Sequence, residues 1–214
     1  MFAALGLLLA AAAVASPAGA SRPRVEVVLS VDAGVAIDAG DLRAIADDVR
    51  RIWRDAADVT VSLPGDLTRP VAVDTVRLVL TGDVRASADR AGLGWIEFVN
   101  GEPQRTITVS VGAARMLVWN ARWYGKPMNT LPPAAARTFL RRAVARAAAH
   151  EIGHYLFRTK AHTHGGLMRA AFTPDEMVDT RPALDRLNAA DIARLRESAE
   201  RVAEMKSHID EVAN

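Results

Sequence analysis

His150-Glu151-Ile152-Gly153-His154 is the stretch from which the rest of the chain is read. It opens the run HEIGHYLFRTKAHTHGGLMR (150–169), and four of the five histidines fall between positions 150 and 164. On a helix, residues four apart lie about 40° from one another around the axis, so the imidazoles at 150 and 154 can reach one zinc ion. Glu151, one position after the first histidine, then faces a water on that ion as a general base. A catalytic zinc takes three protein ligands and keeps one position open, so a third ligand must come from elsewhere. His162 and His164 are the nearest candidates.

The same run resembles the active-site segment of metzincin-type zinc metallopeptidases. There a HExxH helix is followed by a glycine turn, a third histidine and a methionine-containing turn under the zinc. The resemblance implies one catalytic zinc ion held by His150, His154 and His162, with Glu151 as the base and Met168 as the turn methionine. The segment departs from the family pattern in one place: Phe157 holds the glycine position, Lys160 holds the ligand position, and His162 comes eight residues after His154. The reversal is therefore two residues longer than in the family. Met168 follows His162 by six residues, within the family's spacing. His164 abuts Gly165-Gly166, where the chain swings away. His162 is thus the expected third ligand and His164 the alternative. In zinc peptidases whose third ligand is a downstream glutamate, Glu176 would take that place.

The N-terminus reads as a secretory signal. An apolar run from Phe2 to Ala15 is followed by Ser16-Pro17 and by Ala18-Gly19-Ala20, a small-x-small cleavage site. The run of ~14 residues is shorter than the ~20 needed to span a bilayer. The expected organisation is a signal peptide over 1–20 and one catalytic domain over 21–214, with an upper part to 159 and a lower part from 160. Secreted or periplasmic export follows, with no membrane span in the mature chain.

Half of the residues are apolar, which supports a packed core rather than disorder. The formal net charge is only +2 and charges of both signs are interspersed, so no nucleic-acid footprint appears. With no cysteine in the chain, disulfides, thiol catalysis and cysteine zinc ligands are all excluded.

β-Branched runs predict strands over Arg24–Val31, Val59–Leu63, Val73–Leu80 and Thr106–Val111. The spacing of Leu42, Ile45, Val49, Ile52 and Trp53 predicts a helix capped by Asp41 and running to about Asp55. Strand, helix and strand in this order suggest a βαβ unit. Asn100-Gly101 marks a hairpin, with Glu102-Pro103-Gln104 lengthening its loop. It places one antiparallel strand, Leu93–Val99, in an otherwise parallel sheet. By the resemblance, that strand borders the cleft and pairs with substrate; packing in the core is the other reading of Trp95 and Phe98. Gly112–Tyr124 is expected as a short helix carrying Trp119, Trp123 and Tyr124. Pro132-Pro133 opens the long HExxH helix to about Arg158, and Asn188 caps a final helix from Ala189 to about Ile209.

The expected fold is α+β and zincin-like: a mixed sheet with helices, the long HExxH helix, and a small C-terminal helical part. The expected function is a zinc metalloendopeptidase acting on peptide or protein substrates. The alternative is a non-catalytic zinc-binding or protein-binding domain on the same fold. Tyr124, Tyr155 and Arg169 are conceivable stabilisers of the oxyanion.

Overall fold

Alternation of buried and exposed side chains builds the sheet on which the whole molecule rests. The computed structural model describes residues 22–63, 65, 75–84 and 92–212. The expected signal stretch and the Val73-Asp74 start of the third strand lie outside these residues. Strands β1 (Arg24–Val31), β2 (Asp58–Ser62), β3 (Val76–Thr81), β4 (Gly94–Val99) and β5 (Glu102–Ser110) form one sheet in the order β2-β1-β3-β5-β4. All pairs are parallel except β4–β5, so the architecture is a mixed sheet with one antiparallel edge strand. The register places Leu29, Leu78, Ile107 and Ile96 in one row across four strands, and all four are buried. That row is the floor on which the helices pack.

Helix α1 (Ala39–Trp53) connects β1 to the parallel β2. Its cap is Asp38, whose carboxylate accepts from the Asp41 N–H at 2.8 Å, and not Asp41 as the sequence suggested. Asp41 instead accepts from Arg137 (2.8 Å) and Arg141 (3.2 Å), tying α1 to the start of the long helix. The β4–β5 hairpin also differs from expectation. Val99 pairs directly with Glu102, so its turn is the two residues Asn100 (φ 52°) and Gly101 (φ 83°). Two left-handed residues make the turn that follows the natural twist of a hairpin. The extra length sits inside β5 instead, where the register shifts opposite Ile96–Phe98 next to Pro103, a residue with no N–H to give the ladder.

Helix α2 (Val111–Asn120) starts on the Ser110 hydroxyl and is shorter than the predicted 112–124. The remainder forms a small hairpin, β6 (Arg122–Trp123) and β7 (Lys126–Pro127), turning at Tyr124 (φ 49°) and Gly125 (φ 78°). Two consecutive left-handed residues cannot continue a helix.

Helix α3 (Pro133–Phe157) crosses the sheet and packs against α1, α2 and the helices that follow it. Its alanines at 143, 145, 147, 148 and 149 are buried, and their small side chains let the helix axis lie close to its neighbours. The Trp53 indole donates to the Ala149 carbonyl at 3.2 Å and fixes α1 at the residue before His150. After α3 come a return segment, the short α4 (Pro174–Val178) and α5 (Ala189–Val212). One hydrophobic core extends from Val25 to Leu195. Among the described residues, no helix is long and apolar enough to cross a membrane.

Candidate metal centre

The last two turns of α3 carry His150, Glu151 and His154 on one side of the helix. The chain then leaves through Arg158, a left-handed residue (φ 51°, ψ 41°), while the His154 carbonyl accepts from the Thr159 N–H at 3.3 Å. The reversal thus begins one residue after the position where the family pattern has glycine. It brings His162 back to the helix end. The imidazole centroids of His150, His154 and His162 stand 4.7, 4.9 and 5.3 Å apart in pairs, and one ligand atom from each lies within 4.8 Å of the others. Among the described residues this is the group of three histidine or acidic side chains so arranged.

The tautomers follow from the hydrogen bonds. His150 Nδ1 lies 2.8 Å from the Leu167 carbonyl, and His154 Nδ1 lies 2.8 Å from the Thr159 carbonyl. A carbonyl only accepts, so both Nδ1 atoms carry the proton and both Nε2 atoms present lone pairs. Those two Nε2 atoms face each other at 3.1 Å. Two lone pairs so close repel unless a cation lies between them. Two nitrogens bound to one tetrahedral zinc at about 2.0–2.1 Å would stand roughly 3.3 Å apart. The donor set therefore fits a zinc ion. Burial, with the neighbouring histidines adding to it, pushes His150 down to about 4. Burial also lowers His154 and His162. All three rings are thus neutral at pH 7, the form that binds metal.

Glu151 is buried, and burial pushes its carboxyl up to about 8. It lies against Gly94 of the edge strand: a Cβ there would stand 2.8 Å from Glu151 Cγ and 3.3 Å from Oε1. Met168, itself buried, lies against Gly153 of the same helix end. A Cβ at Gly153 would meet its Cε at 2.8 Å and its sulfur closer still. The glycine inside HEIGH is therefore a packing requirement of the methionine. Phe172 stands edge-on to His150, with ring centroids 6.5 Å apart.

A cleft of about 570 Å³ opens over these groups, walled on one side by the length of β4 and floored by His150, Glu151, His154 and His162. Lys160 stands at its rim, 5.3 Å above the Phe98 ring. A second, apolar recess of about 330 Å³, with Leu93, Leu117, Phe172 and Met177 in its walls, shares Gly92, Leu93 and Ala170 with the first.

The remaining sequence candidates lie elsewhere. His164 is exposed and is not part of the three-histidine group. Glu176 closes a capping box with Thr173 at the start of α4 and pairs with Arg169. Arg169 stacks on Phe172 with its guanidinium carbon 4.1 Å from the ring centroid. Tyr124 is 86 % exposed on its hairpin turn, and neither it, Tyr155 nor Arg169 lines the cleft. Gly94 and Gly153 were missed as site residues. Gly92-Leu93-Gly94 ahead of a strand was the signal for the first, and the spacing of Met168 from the HExxH helix the signal for the second.

No protein family and no curated protein matches the sequence. Comparison of structures does find likenesses. The metalloproteinase-II of Bacteroides fragilis aligns with 86 % of this chain and 55 % of its own at 11 % identity, with a TM-score of 0.44. The archaemetzincin of Methanopyrus kandleri aligns with 86 % of this chain and 98 % of its own at 14 % identity, with a TM-score of 0.50. The fold built around these histidines is thus one that an archaemetzincin also has.

Proposed function

We propose that the protein is a zinc-dependent metallopeptidase, with one zinc ion held by His150, His154 and His162 and with Glu151 as the general base. The observation that carries the reading is the facing pair of unprotonated Nε2 atoms, 3.1 Å apart, beside a buried carboxyl. Zinc held there would supply Lewis acidity, polarising a scissile carbonyl and lowering the pKa of water from 15.7 in bulk towards ~7.

The chain's own groups do the rest. The Leu167 and Thr159 carbonyls hold two imidazoles in the tautomer that keeps Nε2 free. Met168 packs beneath them as the turn methionine. Glu151 takes a proton from the attacking water on its carboxylate and returns it to the departing amine. Among the described residues no strand lies beside the outer edge of β4, so an extended peptide can pair there and lie across the histidines. Peptides or proteins are the substrates.

The test is zinc analysis of the purified protein together with hydrolysis of a generic peptide pool by wild type and Glu151→Gln. The variant should keep one zinc and lose activity by a factor of the order 10²–10⁴. Peptide binding without hydrolysis by the wild type would instead mark a binding domain on the same fold. Export belongs to the same proposal: N-terminal sequencing of protein recovered outside the cytoplasm should begin at Ser21, and an intact Met1 on a membrane-bound form would refute it.

A further inference from the structure

The return segment that carries His162 is tied down at the next residue, Thr163, and part of the tie comes from the start of α5. The Thr163 N–H donates to the Met168 carbonyl at 2.8 Å, and the residue bridges to Arg169. Its hydroxyl lies 3.1 Å from the Gly165 carbonyl, 3.1 Å from Asn188 Nδ2 and 3.4 Å from Asp191 Oδ2. The Asn188 amide is a donor, so the hydroxyl accepts from it and turns its own proton to one of the two oxygens. The same amide also donates to the Gly165 carbonyl at 3.0 Å. Asn188 and Asp191 meanwhile close a reciprocal box at the start of α5: Asn188 Oδ1 accepts from the Asp191 N–H at 2.9 Å, and Asp191 Oδ2 accepts from the Asn188 N–H at 3.1 Å.

Capping α5 does not by itself require any of these groups to be buried. Exposed caps work as well, through the same backbone bonds. Asp191 is nevertheless 0 % exposed, and its Oδ1 has no hydrogen-bond partner among the described residues. An acidic side chain buried with an unmet oxygen is costly. Here the burial brings the cap onto Thr163, which sits between His162 and His164. His162 itself is exposed, with no helix or strand of its own to hold it.

We infer that Asn188, Asp191 and Thr163 form a latch by which the last helix holds His162 against the metal. They are positioning residues for the third ligand, and the inference rests on the reading of His162 as that ligand. The latch acts where the return segment is two residues longer than in metzincins.

The experiment is a zinc competition titration with a chromogenic chelator on the full chain, with the melting temperature of the metal-free protein measured alongside. Thr163→Val removes the hydroxyl and keeps the shape, and is expected to weaken zinc about 10- to 100-fold. Thr163→Ser should restore wild-type affinity. Asn188→Ser keeps a capping oxygen while withdrawing the amide from Thr163 and Gly165, so it should weaken zinc with little change in melting. It also serves if Thr163→Val fails to fold. The decisive arm is the His162→Ala background, where Thr163→Val and Asn188→Ser should have no further effect on zinc affinity. Cobalt(II) spectra of Thr163→Val should move towards those of His162→Ala. Wild-type affinity in both single variants, or an equal loss with and without His162, would overturn the latch. Zinc binding without peptide hydrolysis would refute the peptidase reading and leave the latch standing. A wild-type protein that binds no zinc would refute both.

Discussion

Gly94→Ala tests whether the edge strand holds the base in place. The added methyl would stand 2.8 Å from Glu151 Cγ, against an ordinary carbon–carbon contact of about 3.5–4.0 Å. It would also stand 3.1 Å from the Thr108 carbonyl, which belongs to the neighbouring strand and cannot retreat without disturbing the ladder. The side chain that gives way is therefore Glu151, by something near 1 Å. A displacement of that size at a catalytic group costs about 10²-fold in rate, or roughly 2.7 kcal/mol of transition-state stabilisation. Overpacking adds about 1–3 kcal/mol of lost stability. Zinc content should not change, because the atoms that the added methyl meets most closely belong to Glu151 and Thr108 and not to an imidazole. The assay is kcat/KM on a peptide substrate, with zinc content and melting temperature measured on the same samples. The control is the double variant with Glu151→Gln, in which the methyl should have almost no further effect, since the group it displaces no longer acts as a base. Wild-type kcat/KM in Gly94→Ala, or an undiminished penalty in the Glu151→Gln background, would refute the reasoning.

His162→Ala should weaken zinc far more than His164→Ala in a competition titration, and the reverse order would hand the third position to His164. Gly153→Val should lower the melting temperature and loosen zinc together, because its side chain must displace the buried Met168 from the helix turn between His150 and His154. The Arg169 guanidinium bonded to Glu176, helped by Thr173, holds that carboxyl down at about 2, below the 4.5 of an unfolded chain. A depressed carboxyl contributes stability that is present above 4.5 and lost as pH falls towards 2, so acid titration of melting should show a loss in that window, absent in Glu176→Gln. Arg146→Met should cost about 3 kcal/mol, because the buried Asp185 carboxylate, which now accepts from Arg146 at 2.7 Å, keeps only the longer 3.5 Å pair with the half-exposed Arg51. Adding Asp185→Leu should recover much of that loss.

The sheet was legible because its signal is local. Val25, Val27 and Leu29 alternate with outward residues, and any partner strand with the same alternation can join them. Asn100-Gly101 announced the hairpin for the same reason, since two left-handed positions in a row favour that dipeptide. What escaped was the length of the loop. Pro103 looked like part of a turn, whereas it lies within β5 beside a register shift that takes up the extra residues. A bulge is decided by how two strands match, and neither strand records it alone. Gly112–Tyr124 failed in the same way: Trp123 turned out to pack on Phe139, with ring centroids 5.4 Å apart, a contact made across the chain and not along a helix.

The two halves of the candidate site differ in how far a sequence can specify them. His150, Glu151 and His154 sit on a regular helix, whose fixed angle per residue converts a spacing directly into a direction. His162 sits on a segment with no period, so its spacing from His154 limits reach without giving a direction. Its direction is set by bonds to distant residues: the Thr163 N–H to Met168, the Thr163 hydroxyl to Asn188 and Asp191, and the Leu167 N–H to the Arg186 carbonyl at 2.9 Å. These partners lie 5 to 28 positions from Thr163. Gly166 completes the same argument, because it is left-handed (φ 72°) and a Cβ there would collide with the Arg186 carbonyl. Gly165-Gly166 was legible as a turn, but the reason for it is the close passage of the chain before α5. The end of the return segment that carries His162 is therefore specified from the C-terminal part: the HExxH spacing aims His150 and His154 directly, whereas His162, expected from the resemblance, is brought beside them only by the fold.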